Sequence, residues 1–176
     1  MMLAQESLDH AFSDQLPTEQ LNTHRWSIMS TFLEFFKEYG KPGDLVSMDN
    51  CYRKYLGLNL EPDLRIYNSL IRWSCANNDI DQAEQYLEEI SSPSINLGPN
   101  LEIFSYMVAS ECRKSKTHSA SNIAKKMKEM YNIMPSEMIL TTIFKTMIRK
   151  KRFIDAKTFA KEWNFPIHII QTLKEK

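Results

Sequence analysis

The chain repeats itself at a spacing of 36 to 37 residues, and this feature limits its possible folds more than any other. Moving residues 64–71 (LRIYNSLI) forward by 37 places them over residues 101–108 (LEIFSYMV), and a further 36 reaches residues 137–144 (EMILTTIF). Apolar residues coincide at several positions in this alignment and are expected to face the core, among them Tyr67, Phe104 and Leu140 in the first helix and Ile90, Met127 and Trp163 in the second. A unit of this length cannot bury its apolar face alone, so neighbouring copies are expected to stack against one another.

Each copy has the pattern of a helical hairpin. In the clearest copy, Pro62-Asp63 marks a turn, and apolar residues then recur at helical spacing as far as Cys75. Asn77-Asn78-Asp79 interrupts the pattern, and Asp79 is a candidate N-cap. A second apolar stripe follows up to Ile90. The segment therefore predicts two antiparallel helices that leave apolar surface for further copies to cover.

A small residue recurs at one position of the second helix. Ala83, Ala120 and Ala156 coincide when the copies are aligned. Small side chains let two helices approach at the short end of the usual interaxial range of about 8–10 Å. We therefore expect all three alanines to be buried where helices touch.

These features resemble the pentatricopeptide repeat family. Its repeat carries an aromatic residue near the start of the first helix, then Asn, Thr or Ser, then an alanine in the second helix and a Pro-Asp before the next repeat. Tyr67-Asn68, Ala83 and Pro62-Asp63 match this pattern closely, and the later copies match less closely. The tetratricopeptide repeat has a similar period but places small residues where this chain has Ile71 and Ile90. We therefore prefer the pentatricopeptide interpretation.

The resemblance implies an all-α fold, a right-handed α-solenoid of stacked antiparallel hairpins with about seven to nine helices. Six segments are expected: an N-terminal capping segment or the cut end of a longer protein (1–28), a degenerate repeat (29–63), three further repeats (64–100, 101–136 and 137–163), and a C-terminal capping helix or truncated repeat (164–176).

The distribution of charge is more informative than its sum. The chain has 176 residues and a formal net charge of zero. Residues 1–111 hold 17 acids and 7 bases, whereas residues 112–176 hold 5 acids and 15 bases. A basic end of this kind can hold phosphates or orient a protein partner, although for any single lysine a solvated surface is the simpler interpretation. Because no apolar run approaches the roughly 18–20 residues of a membrane helix, no membrane partner is expected.

The sequence contains no recognisable catalytic constellation. It lacks an HExxH motif, a Cys-x-x-Cys pair, a phosphate-binding glycine loop and a G-x-S-x-G turn, and its four histidines lack metal-ligand spacing. We therefore expect no enzyme activity, no metal and no cofactor. Cys75 and Cys112 fall at equivalent buried positions of their repeats, so core packing and a reducing compartment are the simplest interpretation.

The resemblance also implies how the chain would bind RNA. In the family, the residue after the aromatic position and the last residue of the repeat read one base edge. The pairs carried over are Asn68 with Asn100 and Ser105 with Ser136, and Thr141 is a third reader without an assigned partner. Amides and hydroxyls are suited to the edges of splayed-out bases. The alternative is that these are ordinary polar residues at helix N-termini.

Further binding residues are expected around the readers. The preceding position usually sandwiches the base, a role that Arg65 and Met138 can fill, whereas Glu102 in the same position would repel phosphate. Lys150 and Arg152 are expected to contact phosphates, because they lie in the basic stretch between the two helices of the last repeat.

The resemblance implies a non-catalytic module that binds single-stranded RNA in organellar RNA stability, processing or translation. Mitochondria are the expected compartment, although residues 1–28 lack the Arg-rich, acid-poor pattern of a transit peptide. Three or four repeats read at most three or four bases, so a larger ribonucleoprotein or protein complex is expected. The alternative function is a protein-interaction scaffold whose groove holds a partner peptide or helix.

Overall fold

The computed structural model describes residues 45–57 and 61–165, and these residues form seven helices and no strand. The capping segment at 1–28, residues 29–44 of the degenerate repeat and nearly all of the C-terminal segment at 164–176 lie outside the described residues. The helices are α1 (Leu45–Gly57), α2 (Leu64–Ala76), α3 (Ile80–Ser91), α4 (Leu101–Arg113), α5 (Thr117–Glu129), α6 (Glu137–Arg149) and α7 (Phe153–Glu162).

The first helix of each repeat begins directly after a polar residue whose side chain caps it. Asp63 Oδ1 accepts a hydrogen bond from the Ile66 backbone N–H at 3.1 Å before α2. Asn100 and Ser136 cap α4 and α6 in the same way. The first backbone N–H groups of a helix have no partner within it, and a side-chain oxygen satisfies one of them. The polar residue at the end of each repeat therefore sets the start of the next helix.

Three-residue turns join the two helices of each hairpin. The middle residue of each turn has a left-handed backbone, with φ of 63° at Asn78, 62° at Ser115 and 58° at Lys151. This conformation reverses the chain, so the two helices run antiparallel. Asp79 accepts a hydrogen bond from the Gln82 N–H at 3.0 Å, which confirms that it is the N-cap of α3.

The chain divides within α2 into two compact units, Met1–Ser69 and Leu70–Lys176. In the described part of the N-terminal unit, buried tyrosines form the contact between α1 and the start of α2. The Tyr52 hydroxyl donates to the Tyr67 hydroxyl at 3.1 Å, and their rings meet edge to face with centroids 6.2 Å apart. The Tyr55 hydroxyl donates to the Glu61 carbonyl at 3.0 Å. Each tyrosine thus buries its ring while its hydroxyl keeps a hydrogen-bond partner.

The C-terminal unit is a stack of helical hairpins. Helix α4 packs against α3, α5 and α6, and α6 packs against α5 and α7. Ala83, Ala120 and Ala156 are all buried, as the alignment of the copies predicted. Because these positions carry only a methyl group, the second helix of each hairpin can lie close to its neighbours.

Two details of the predicted core are wrong. Leu140, aligned with the fully buried Tyr67 and Phe104, is only partly buried, whereas Ile139 before it is buried like Ile66 and Ile103 at the same position of their helices. Trp163 was aligned with fully buried residues but is the partly exposed C-cap of α7, because that helix ends at Glu162. Both differences are losses of burial in the α6–α7 hairpin.

Polar bonds join the turn of one hairpin to the next hairpin. The Ser110 hydroxyl and the Arg113 guanidinium both donate to the Cys75 carbonyl, at 2.9 and 2.8 Å. The Lys114 ammonium donates to the Asn78 carbonyl at 3.0 Å. Carbonyls at the C-terminal end of a helix have no partner within it, so α4 satisfies groups that α2 cannot satisfy alone.

Candidate nucleic-acid interface

The candidate base-reading residues lie at the N-terminal ends of the first helices. Asn100 and Ser136 are the N-caps of α4 and α6, and Ser105 and Thr141 lie one turn further on. Ser105 and Ser136 share one end of two helices that pack side by side, so the structure brings this pair to the same edge of the C-terminal unit. Asn68, the proposed partner of Asn100, lies on α2 within the N-terminal unit.

These side chains already make hydrogen bonds within the fold. Asn100 Oδ1 accepts from the Ile103 N–H at 3.0 Å, and Ser136 Oγ accepts from the Ile139 N–H at 3.3 Å. The cap uses only the oxygen in each case, so the Nδ2 hydrogens of Asn100 and the hydroxyl proton of Ser136 are not consumed by it. A role as helix cap and a role as base reader are therefore compatible for Asn100 and Ser136, because one side chain can cap a helix and also donate a hydrogen bond to a base.

The expected base-sandwiching residues are solvent-exposed. Met138 follows the first residue of α6 and exposes most of its side chain. Arg65 lies at the same position of α2, and its Nε is 3.2 Å from Asp63 Oδ2. Both side chains are accessible to a ligand, and neither is needed for the core.

Glu102 has a hydrogen-bond partner on its own helix. Its carboxylate accepts a hydrogen bond from the Tyr106 hydroxyl, one helical turn away, and the Arg72 guanidinium lies 5.7 Å from the centre of the Tyr106 ring. Burial, and then the hydrogen bond to Glu102, raises the pKa of Tyr106. The hydrogen bond to Tyr106 therefore joins Glu102 to a ring that also lies under a cation. The i, i+4 spacing of Glu102 and Tyr106 is the sequence signal that indicates this pair.

Lys150 and Arg152 lie at the opposite end of α6 from Ser136. Thirteen helical residues at about 1.5 Å each separate the two ends by roughly 20 Å. Arg152 is also engaged within the fold, because its Nε lies 2.6 Å from Asp155 Oδ2 and its NH1 donates to the Thr117 hydroxyl at 2.6 Å. The base-reading candidates and this basic turn therefore occupy different edges of the unit.

Several other basic side chains join the second helices. Lys125 pairs with Glu162 at 2.8 Å, linking α5 to α7, and Lys126 lies 3.9 Å from Glu84 of α3. The Lys128 ammonium lies 5.3 Å from the centre of the Trp163 ring. Part of the positive charge of the C-terminal half is therefore paired with acids and an aromatic ring of neighbouring helices.

Glu111 is a buried acid at the end of α4. Burial would raise the pKa of its carboxyl, but hydrogen bonds from Lys114 and Ser119 and the charges of Lys114 and Lys116 outweigh burial and lower that pKa. The Lys114 ammonium is 2.7 Å from its Oε1. The ion pair places Lys114 where it can reach the Asn78 carbonyl, so Glu111 has a structural role between hairpins.

The described residues give no sign of reactive chemistry. Burial raises the pKa of the Cys75 thiol to about 12 and also raises that of Cys112, so both thiols stay protonated at neutral pH. Within residues 45–57 and 61–165, no group of His, Cys, Asp or Glu side chains is arranged to hold a metal ion. Across the same part of the chain, no helix is both long and apolar enough to cross a bilayer.

Stacked antiparallel hairpins of similar length and capping place this structure in the class of helical-repeat proteins. Comparison with known proteins refines this class. A family model described as the PPR repeat matches residues 58–91. A pentatricopeptide repeat-containing protein of Arabidopsis thaliana is 26% identical over 142 residues, which is 80% of this chain and 24% of the relative. The chain thus spans about a quarter of that relative's length.

Solved structures show the same fold. Nuclear proteinaceous RNase P 2 of Arabidopsis thaliana aligns with 91% of this chain and 33% of its own, at a TM-score of 0.69 and 14% identity. The pentatricopeptide domain of protein-only RNase P 1 from the same plant, solved in complex with tRNA, aligns with 99% of this chain and 98% of its own, at a TM-score of 0.65 and 14% identity. The fold is therefore an α-solenoid, and the chain is similar to the pentatricopeptide repeat family, with one matched repeat at residues 58–91.

Proposed function

We propose that this chain is a non-catalytic RNA-binding module. The observation that carries the proposal is the recurrence of hydrogen-bonding side chains at two positions of successive repeats, with Asn100 and Ser136 at the helix caps and Ser105 and Thr141 one turn inside. The solved complex of a pentatricopeptide domain with tRNA supports RNA as the ligand class of such a fold.

The finer proposal is that the ligand is single-stranded RNA read at one base per repeat. Asn68 with Asn100, and Ser105 with Ser136, would each donate and accept at the edge of one unpaired base. Arg65 and Met138 would pack on the base faces, because both are exposed beside these positions. Three or four repeats read at most three or four bases. We therefore propose that the chain acts within a larger ribonucleoprotein complex. Similarity to the pentatricopeptide repeat family supports an organellar, mitochondrial role in RNA stability, processing or translation.

The capping geometry makes Asn100 the best residue for a direct test. Replacing Asn100 with Asp keeps an oxygen that accepts from the Ile103 N–H, so the helix cap survives. The same change replaces the Nδ2 donor with a second acceptor. The family pairing rules assign a pyrimidine to two asparagines, with cytosine preferred to uracil. We therefore expect Asn100→Asp to shift the preference toward uracil without unfolding α4.

The measurement is fluorescence anisotropy with short single-stranded RNAs that differ at one base. The matched control is Asp79→Asn, which makes the reverse chemical change at the N-cap of α3, a second helix that carries none of the proposed readers. Its base preference should equal that of the wild type. No binding to any single-stranded RNA at low salt would refute the proposed function. Binding with a base preference that Asn100→Asp leaves unchanged would refute the reading pair alone.

Lys150→Ala tests the predicted phosphate contact independently. A phosphate contact weakens binding to all sequences alike and lowers the dependence of affinity on salt when it is removed. About 20 Å of helix separates Lys150 from the reader at Ser136, so such a contact would involve a different stretch of RNA from the bases being read. If Lys150→Ala binds RNA with the affinity and salt dependence of the wild type, Lys150 does not contact RNA.

A further inference from the structure

The turn between α6 and α7 combines exposed positive charge with exposed apolar side chains. Phe153 and Ile154 leave 60% and 83% of their surface open, and Lys150 and Lys151 directly before them are also exposed. We call these four residues the basic–apolar turn. Isolated exposed apolar residues are common on protein surfaces. Two large adjacent apolar side chains beside two lysines instead form a patch typical of an interaction site.

The alignment of the copies shows what covers the equivalent position of the preceding hairpin. Phe153 is the first residue of α7, as Thr117 is the first residue of α5. Thr117 is fully buried, and the guanidinium of Arg152 in the following hairpin donates to its hydroxyl. Arg152 and its ion pair with Asp155 also hold the basic–apolar turn in place. Phe153 is therefore exposed at the position where the following hairpin covers Thr117 of α5.

The opposite edge of the C-terminal unit carries a surface of complementary character. Helix α3 contains four acids and no base, and Glu88 near its end is exposed. The following loop folds back so that the Gly98 N–H donates to the Ile90 carbonyl at 3.3 Å, and Leu97 and Leu101 beside it are exposed. We call Glu88, Glu89, Leu97 and Leu101 the acidic–apolar edge.

We propose that the basic–apolar turn of one copy of this chain binds the acidic–apolar edge of a second copy. Each surface offers apolar side chains beside charges, as interfaces do with their apolar centres and polar rims. The signs of the charges are opposite, which favours encounter in this orientation. Ile154 favours a protein partner over RNA, because an exposed aliphatic side chain has neither a hydrogen bond nor an aromatic face to offer a base.

The two surfaces lie at opposite ends of the hairpins, so the association is head to tail. The turn between α6 and α7 is at the C-terminal end of the first helices, and the loop between α3 and α4 is at their N-terminal end. A contact between two different surfaces leaves one of each free on the outer copies, so further copies add until a ring closes or a filament grows. Both surfaces are held by hydrogen bonds, which reduces the entropy lost on binding.

Sedimentation velocity over a concentration series tests the proposal on the intact chain. The wild type should show a weight-average sedimentation coefficient that rises with concentration at low salt and falls toward the monomer value at high salt. Reversing charge in the turn (Lys150→Glu with Lys151→Glu) or at the edge (Glu88→Lys with Glu89→Lys) should each weaken association by at least about tenfold, because like charges then face each other.

Sedimentation of a mixture of the two charge-reversed variants is the most specific test of the proposed contact. The lysines of one variant then face the glutamates of the other at both kinds of contact, so the mixture should associate although neither variant does so alone. Lys157→Glu with Lys161→Glu is the matched control, since it reverses two exposed charges on α7 outside the turn and should associate like the wild type. Phe153→Ser with Ile154→Ser should abolish association without altering the charge.

Three results would overturn the proposal. The first is a wild type that stays monomeric over the whole concentration series at low salt. The second is association that persists in Phe153→Ser with Ile154→Ser. The third is a mixture of the charge-reversed variants that stays monomeric although circular dichroism shows both to be folded. RNA affinity lost in the turn variants while sedimentation is unchanged would assign the turn to RNA instead.

Discussion

The α4–α5 and α6–α7 hairpins occupy the same positions of the repeat but differ in what covers them. Ala120 and Ala156 are both buried, because the close approach of helices is common to both hairpins. In contrast, Thr117 and Ser121 on α5 are buried, whereas their counterparts Phe153 and Lys157 on α7 are exposed. Burial on the outer side of a second helix is therefore set by the neighbouring hairpin, and the polarity of the residue there does not predict it.

The beginnings of the helices differ in a related way. The first helices α4 and α6 have side-chain caps, at Asn100 and Ser136. The second helices α5 and α7 follow Lys116 and Arg152, neither of which makes a side-chain cap bond. Local chemistry thus defines where α4 and α6 start, whereas α5 and α7 depend more on their packing. Helix α3 is the exception among the second helices, because Asp79 caps it.

The largest expected effect compares two phenylalanines. Phe104 is fully buried, with its ring centroid 5.3 Å from that of Tyr131, whereas Phe153 is mostly exposed. We expect Phe104→Ala to cost about 3–5 kcal/mol of unfolding free energy, because it leaves a cavity in the core. Phe153→Ala should change stability by at most about 0.5 kcal/mol. Urea denaturation followed by circular dichroism measures both. Equal losses in the two variants would mean that Phe153 is buried in solution.

A smaller difference is expected within the α6–α7 turn itself. Arg152→Ala removes the donor to the buried Thr117 hydroxyl and should cost about 1–2 kcal/mol. Lys150→Ala, two residues earlier and exposed, should change stability by no more than about 0.5 kcal/mol. Thermal and urea denaturation of both variants provide the comparison. If the two substitutions cost the same, the bond from Arg152 to Thr117 does not contribute to the stack.

The third comparison depends on pH and concerns Glu111 at the end of α4. Its pKa is lowered in the folded state, so its contribution to stability is present above the ordinary value of 4.5 and is lost as pH falls through the lowered pKa. Glu111→Gln should therefore be less stable than the wild type at neutral pH and should lose less stability on acidification. Urea midpoints measured from neutral to acid pH test this. Parallel pH curves for the two proteins would exclude the ion pair with Lys114 as the cause.

The smallest expected effect compares the middle residues of two turns. Lys151 and Asn78 both have left-handed backbones, but asparagine tolerates this conformation better than lysine. Lys151→Gly should therefore stabilise the protein by roughly 0.5–1 kcal/mol, and Asn78→Gly should do so by less. Differential scanning calorimetry can resolve the two shifts in Tm. A loss of stability in Lys151→Gly would show that its side chain makes a contact worth more than the backbone strain.

Much of the fold could be predicted from the sequence because the repeat places the same residue types in the same positions. The alanine position and the Asp79 cap follow from spacing and local chemistry. The failures at Leu140 and Trp163 arose in the α6–α7 hairpin, where an aligned apolar residue is only partly buried or the helix ends one residue early. Periodicity cannot detect such losses of burial, because both residues keep the apolar character of their position.

The candidate site was predictable in position but not in its partners. The sequence indicates Asn100 and Ser136 as polar residues at the ends of repeats, because a capping side chain must directly precede its helix. It does not indicate that Arg152 donates to Thr117, 35 residues away, or that Glu111 is buried with Lys114.

The sequence by itself determined the helices, their order and the residues that start each first helix. These properties depend on spacing within a few residues, which is read directly along the chain. Tertiary structure alone decided which polar groups are buried and which apolar residues stay exposed, because a neighbouring hairpin supplies both the covering surface and the hydrogen-bond partner. Thr117 and Phe153 occupy the same position of the repeat, and only the hairpin packed against α5 distinguishes them.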